Sequence, residues 1–220
     1  MTPMARAIIT VDGVDGSGKS TFARGLAAAL AGEGVPGVLI GVDDFRRPVD
    51  WAAAASEVDV YYDGYYDLAL CERCLAAFAA GAPGVTIPQF DPVAERPARP
   101  RDLVFEGAAV AILEGVFPLR APSARAGLVI YLDASPAEAR RRIIQRDLGK
   151  GRSRAEIERR IARRYEPGQA RYHAALDPRG RAGVVIDNER PAAPRALRRD
   201  LGGADASLRA ALDRVLPPLR

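Results

Sequence analysis

The sequence predicts an α/β domain, and three observations carry that prediction. The run 6–11 (Arg-Ala-Ile-Ile-Thr-Val) is rich in β-branched residues. It leads through a glycine-rich turn into the Ala/Leu-rich stretch 20–30, a strand, turn and helix in succession. Further short apolar runs at 38–42, 108–113, 128–132 and 184–186 read as buried strands, and helical stretches lie between most of them. The chain has 220 residues, 48% hydrophobic and 27% charged, the composition of a soluble globular protein. A domain of that size buries about 70% of its unfolded surface.

The turn after the first strand holds the pattern G-x-x-x-x-G-K-[ST], from Gly13 to Ser20. The pattern answers to polyphosphate binding. Gly13, Gly16 and Gly18 permit positive φ and a close approach of backbone to oxygen. With Asp15, Ser17 and Thr21 they form an anion nest at a helix N-terminus. Lys19 offers a cation to the β- and γ-phosphates, and the Ser20 hydroxyl is a natural Mg²⁺ ligand. The candidate cofactors are therefore ATP and Mg²⁺.

The second strand ends in Asp43-Asp44-Phe45-Arg46. Ligands of open parallel sheets bind beyond the carboxyl ends of strands, so one of these carboxylates is placed to take a proton from an acceptor hydroxyl. Capping the next segment or assisting the metal are the other uses of the pair. From Trp51 to Tyr66 the chain reads as irregular and aromatic, and four of its seven tyrosines fall between Tyr61 and Tyr66. Tyrosines beside Asp59, Asp63 and Asp67 suit either a ring-and-sugar site or packing at a helix start. A helix over 67–80 follows. It carries Cys71 and Cys74 as an i,i+3 pair on its core face, without the further ligands a zinc site needs.

Five prolines between Pro83 and Pro100 exclude helix and predict a loop or hairpin flap over 83–101, with 86–90 as its strand. The strand 108–113 ends at Glu114, a carboxylate placed to hold Mg²⁺ or its water. The strand 128–132 ends at Asp133. A helix then starts with Ser135 at N-cap and Pro136 at N1. Its basic residues Arg140, Arg141, Arg142 and Arg146 run on into Lys150, Arg152 and Arg154. The flanking glycines 149 and 151 make the region 146–155 read as a lid, against the alternative of a solvated basic face. Arginine there can stabilise charge on a transferring phosphoryl group. Helix is expected over 154–176 with a break at Pro167-Gly168, and amphipathic helix from Pro191 to Pro217.

Lys19 and Lys150 are the only lysines among 32 basic residues, and the formal net charge is +4. A nucleotide satisfies that bias as well as nucleic acid would, and neither an RNP-like pattern nor zinc-finger spacing appears. No apolar run reaches the length of a membrane span. The first strand begins close to Met1, which leaves no room for a signal peptide, and a reduced, cytoplasmic setting is expected.

The phosphate loop, Asp43-Asp44-Phe45, Tyr62-Asp63, Leu113-Glu114-Gly115 and the arginine-rich lid, in that order, resemble the uridine kinase family among phosphoribulokinase-like P-loop kinases. The resemblance spans about residues 6–188. It implies a five-stranded parallel sheet with helices on both faces, a substrate flap and a lid, within a single domain over 1–220. It implies transfer of the γ-phosphate of ATP to a nucleoside 5′-hydroxyl, with no nucleic-acid or membrane partner and room for a homo-oligomer. On that pattern Asp43 is the general base, Asp63 binds ribose hydroxyls and Glu114 is the Mg²⁺-associated carboxylate. Arg146, Lys150 and Arg152 contact phosphates, and Phe90 contacts the base. Asp44, Arg46, Tyr62 and Arg142 complete the candidate acceptor-binding set. Two positions depart from the pattern. Arg46 stands where those kinases usually carry a Tyr beside the base, and the flap segment 90–96 lacks the histidine expected to read a pyrimidine. Arg46 would equally serve an acceptor already bearing a phosphate or carboxylate. The alternatives are a nucleoside-monophosphate kinase resembling thymidylate kinase and a nucleotide-binding module without transfer activity.

Overall fold

A computed structural model describes residues 6–91 and 96–219. The apolar runs form a mostly parallel sheet built from β1 (Ala7–Gly13), β2 (Gly37–Gly41), β5 (Val110–Glu114), β6 (Leu128–Asp133), β7 (Val184–Asp187) and β8 (Arg195–Arg199). Its order is β2-β5-β1-β6-β7-β8, and all neighbours are parallel except β7 and β8. β1 lies at the centre, paired to β5 on one side and β6 on the other, so the glycine turn after it opens at the middle of the sheet's carboxyl edge.

Side chains alternate across the pleat and divide the core in two. On one face Ile9, Val11, Ile112 and Ile130 pack with Ala23, Leu26 and Leu30 of α1 (Lys19–Gly32). Leu208, Ala211 and Leu212 of α6 (Ala206–Val215) join the same cluster. On the other face Ala111, Leu113, Val129 and Tyr131 meet Cys71, Leu75 and Phe78 of α2 (Leu68–Ala79). Both cysteines are buried and free, as the helical spacing predicts. Ser135 caps α3 (Pro136–Leu148) by accepting from the Glu138 amide, and Ser153 caps α4 (Arg154–Arg160) in the same way through Glu156.

Three regions differ from the sequence expectation. Of the loop and the hairpin expected, the proline-rich stretch takes the hairpin, with a second strand beyond the one expected. β3 (Gly84–Asp91) pairs antiparallel with β4 (Arg96–Val104), and the register slips between Ile87 and Gln89. A two-stranded ribbon has only edges, so each proline can face outward without costing a ladder bond. The part of the flap reading on 92–95 lies outside the described residues. The helical break expected at Pro167-Gly168 falls one turn earlier. A π turn, Ile161–Tyr165, joins α4 to α5 (Glu166–Leu176), and Pro167 occupies the first turn of α5, where its missing N–H is harmless. In the tail, Arg195–Arg199 is not helix but the edge strand β8, with Ala196 buried and bridged to Leu219 and with Arg195 and Arg198 exposed.

Candidate functional site

The turn between β1 and α1 floors a cleft of about 1260 Å³ at the carboxyl edge of the sheet. Gly16 and Gly18 have φ of +81° and +98°. Space behind the loop also demands glycine there. A Cβ on Gly16 would overlap the Ala139 carbonyl, and one on Gly18 would lie 2.7 Å from Asn188 Nδ2. Asn188, just past β7, donates from Nδ2 to the Ser17 carbonyl at 2.6 Å. Arg142 of α3 braces this corner by donating to the carbonyls of Asn188 at 2.8 Å and Glu189 at 3.0 Å. Lys19 is buried, and its ammonium donates to the carbonyls of Gly13 and Val14 at 2.8 Å each. Ser20 Oγ donates to Glu114 Oε2 at 2.9 Å, joining the end of β5 to the loop. Burial raises the Glu114 carboxyl above its ordinary range, and the Ser20 hydroxyl and Lys19 charge oppose that rise. Beneath the loop Ser17 is buried, and its Oγ has no hydrogen-bond partner.

The pair after β2 divides its work. The 3₁₀ turn Val42–Phe45 points Asp43 into the cleft, whereas Asp44 Oδ2 accepts from the Gly41 amide at 3.1 Å and pairs with Arg101 of the hairpin. The Asp43 side chain is 58% exposed and forms an ion pair with Arg46. Beyond it the cleft is walled by Trp51, Tyr61, Tyr65, Tyr66 and Phe90, and Trp51 meets Tyr65 edge to face at 5.2 Å. Burial first, then the charge of Asp43, raises the Tyr66 hydroxyl well above its usual value. Asp15 accepts from Tyr61 Oη at 3.1 Å and from Gln169 Nε2 at 3.3 Å, tying the phosphate loop to the aromatic wall.

The opposite wall is the basic segment. Arg146, Lys150 and Arg152 all line the cleft, and the buried Asp147 gathers the two arginines. Arg146 Nε donates to Asp147 Oδ1 at 2.7 Å, and Arg152 Nη1 lies 3.3 Å from Oδ2. Burial and then the charge of Arg146 lower the Lys150 ammonium below its ordinary value.

The structure thus brings Asp15, Gly16, Gly18, Lys19, Ser20, Thr21, Asp43, Arg46, Phe90, Glu114, Arg142, Arg146 and Arg152 to one cleft, with Gly13 and Ser17 under the loop. It leaves Asp44, Tyr62 and Asp63 outside the lining. Tyr62 is buried against Phe117, and the guanidiniums of Arg120 and Arg171 stack over its ring at 4.1 and 4.3 Å. Asp63 pairs with the same two arginines at 3.0 and 2.9 Å. The turn that carries them, Glu57–Asp59 continuing as a π turn over Val60–Gly64, rotates this face away from the cleft. Arg142, expected at the acceptor, lies against the phosphate loop because carbonyls at the end of β7 draw its guanidinium there.

Sequence reasoning missed four residues that hold the site. Glu57 carries the charge of Arg164 and Arg159, and Arg164 in turn stacks on Trp51 at 3.6 Å. Burial pushes the Glu57 carboxyl up, but the two guanidiniums overcome it and leave it below its usual range. Asp147 and Asn188 are described above. The fourth is Asp12, inside β1, which accepts from Tyr172 Oη at 2.6 Å and from the Gly13 amide at 2.6 Å. A lone acid within an apolar strand was the available signal for Asp12. The others pair across more than 40 residues or sit inside an arginine run that hides them.

Comparison with known proteins agrees with this geometry. The family model for the phosphoribulokinase / uridine kinase family matches residues 8–178. No curated protein matches the chain. Among solved structures, a protein from Bacillus stearothermophilus described as a possible uridine kinase superposes with a TM-score of 0.65 at 21% identity, covering 85% of this chain and 91% of its own. A protein from Silicibacter sp. TM1040 proposed to be a fructose transport system kinase gives 0.62 at 22% identity, covering 77% and 85%. The YGR205w protein gives 0.58 at 15% identity, covering 84% and 87%. These structural likenesses bear on the fold. The matched span runs from β1 past the phosphate loop, Asp43, Glu114 and the basic segment, so the chain belongs to the phosphoribulokinase / uridine kinase family and is a P-loop kinase.

Proposed function

We propose that the chain is a Mg·ATP-dependent phosphotransferase acting on a hydroxyl of a small ring-bearing acceptor, a nucleoside being the reading that the aromatic wall supports. The observation that carries the proposal is the position of Asp43, which shares one cleft with the phosphate loop and the Ser20–Glu114 pair.

The residues fit the donor. The cradle of positive-φ glycines, the buried Ser17 hydroxyl without a partner and the Lys19 ammonium on loop carbonyls are groups that phosphate oxygens would satisfy. Ser20 and Glu114 are hard oxygen ligands suited to Mg²⁺, which when bound neutralises charge on the β- and γ-phosphates. Lys19 leaves the Gly13 and Val14 carbonyls for the phosphates. Arg146 and Arg152, gathered by Asp147, present their remaining donors to the transferring group.

Asp43 accepts the proton of the acceptor hydroxyl through the oxygen that Arg46 leaves free. The acceptor oxygen bonds to the γ-phosphorus as the bond from that phosphorus to the bridging oxygen breaks, and ADP departs. Trp51, Tyr65 and Phe90 give a flat ring a stacking surface. Asp63 has no place in this arrangement, so ribose hydroxyls would be bound by the cleft's own tyrosines.

The test is acceptor-dependent ADP release from Mg·ATP over a panel of nucleosides, nucleoside monophosphates and sugar alcohols, with Asp43→Asn as the blank. A nucleoside that turns over, and falls silent in Asp43→Asn while Mg·ATP still binds, supports the proposal. Tight Mg·ATP binding with no acceptor in the panel would overturn it in favour of a nucleotide-binding module.

A further inference from the structure

We infer that the acceptor carries an anionic group, phosphate or carboxylate, in addition to its reacting hydroxyl, and that Arg46 receives it. The inference rests on the kinase reading above and replaces its uncharged nucleoside with a ring-bearing acceptor that also carries an anionic group.

Arg46 is pinned from both sides. It forms a β-bridge with Tyr66, and the following amide, Arg47 N–H, donates to the Tyr65 carbonyl at 2.8 Å. The backbone at Arg46 is therefore held at the cleft wall. The guanidinium lies over the Tyr65 ring at 5.9 Å, and the side chain is 24% exposed. Among the described residues its ion pair is with Asp43, and its buried Nε has no hydrogen-bond partner. Arg160, in the same cleft and 23% exposed, repeats the pattern. It pairs with Glu156, and its Nε is likewise buried and unpartnered. Arg164 differs, since Glu57 and Trp51 occupy it fully.

Arg46 and Arg160 bring two partly exposed guanidiniums to the cleft, and a neutral ligand seated on them would strip their water without supplying a matching charge. The nucleotide does not need them. Lys19, Arg24, Arg142, Arg146, Lys150 and Arg152 line the same cleft. A carboxylate or phosphate presents paired oxygens that match the guanidinium fork. The chemistry adds a second reason. When Asp43 takes the acceptor's proton it becomes neutral, and Arg46 would be left in a half-buried site without a counter-ion. An anionic acceptor supplies that counter-ion in the same step.

The inference is tested by calorimetric titration of ribose, ribose 5-phosphate and ribonate into the full chain already saturated with Mg·AMPPNP, so that the phosphate loop is filled. Both anions, or one of them, should bind about 10- to 100-fold tighter than ribose, the worth of a hydrogen-bonded charge pair. Tighter binding of ribose 5-phosphate alone or of ribonate alone identifies which anion the site takes. Arg46→Gln should bring the anions down to the affinity of ribose and leave Mg·AMPPNP affinity unchanged. Arg46→Lys should retain part of the preference, which a merely structural role would not. Equal affinity of the three probes, or a preference that survives Arg46→Gln, overturns the inference and leaves the kinase reading standing. Failure of Mg·AMPPNP itself to bind overturns both.

Discussion

The two ends of the cleft are built differently. The nucleotide end is backbone: one turn, 13–21, whose glycine torsions aim amides inward and whose rear is braced by Asn188 and Arg142. The acceptor end is side chains brought from far apart: Arg46 on Asp43, Trp51 under Arg164, Glu57 against Arg159 and Arg164, and Tyr61 on Asp15. A polyphosphate is the same ligand in every kinase of this kind, and a backbone nest serves it without regard to neighbours. Acceptors differ, and a wall of side chains can change while the nest stays. Substitutions at the two ends should therefore separate, moving nucleotide parameters or acceptor parameters but rarely both.

The largest effect tests the nucleotide end. Lys19→Ala should lower kcat by about 10²–10³, the usual loss on removing one preorganised charge stabiliser, with the acceptor KM nearly unchanged. Steady-state kinetics decides it, and near-normal turnover would show that the lysine is not the phosphate's partner. At the acceptor end, Glu57→Gln leaves the 6%-exposed Arg164 side chain without its counter-charge. Breaking such a pair should cost about 2–3 kcal/mol of stability, less than full removal of a buried partner because glutamine still accepts a hydrogen bond. Acceptor KM should rise as Trp51 loosens, and Mg·ATP affinity should hold. Chemical denaturation and the two binding curves measure both halves of that expectation, and a parallel loss of nucleotide affinity would break the separation of the ends.

Gly16→Ala places a Cβ on the Ala139 carbonyl at a φ of +81°. It should cost about 1–3 kcal/mol, the scale of strain at a left-handed site, and weaken nucleotide binding by dislodging the loop. Thermal shift with and without Mg·ATP reads the two effects separately. The smallest effect concerns pH. Burial pushes the Asp12 carboxyl from 3.8 up to about 6, against the pull of the Tyr172 hydroxyl, the Gly13 amide and the Lys19 charge. The folded state therefore holds the proton more tightly than the unfolded chain. Asp12's contribution to stability is full below about pH 4 and falls as pH rises through about 6. Asp12→Asn should flatten that decline in a pH series of melting temperatures, and an unchanged slope would assign the decline to another group.

What could be read beforehand follows the same division. The phosphate loop, the five parallel strands, the core-facing cysteines and the Ser135 cap are local patterns, in which a few adjacent residues set torsion, periodicity or a hydrogen bond. Asp43 and Glu114 stand out in the sequence because each follows a buried apolar run, and both line the cleft at the carboxyl edge of the sheet. Which of Asp43 and Asp44 faces the cleft was not legible. Tyr62 and Asp63 turned away because the π turn over Val60–Gly64 shifts the phase of the side chains, and no residue in that stretch announces it. The strand β8 was hidden by its arginines, whose pattern fits an exposed edge as well as an exposed helix face.

The sequence by itself determined the five parallel strands, the phosphate-binding turn and the order of the acidic strand ends, since each is encoded within a dozen neighbouring residues. Only the tertiary structure decided that Arg46 and Arg160 both line the cleft, that Asp147 gathers the basic segment, and that Glu57 and Trp51 share Arg164. The pairing of Arg164 with Glu57 and Trp51 joins residues more than a hundred positions apart. With 32 basic and 28 acidic residues in the chain, partners are chosen by packing and not by composition.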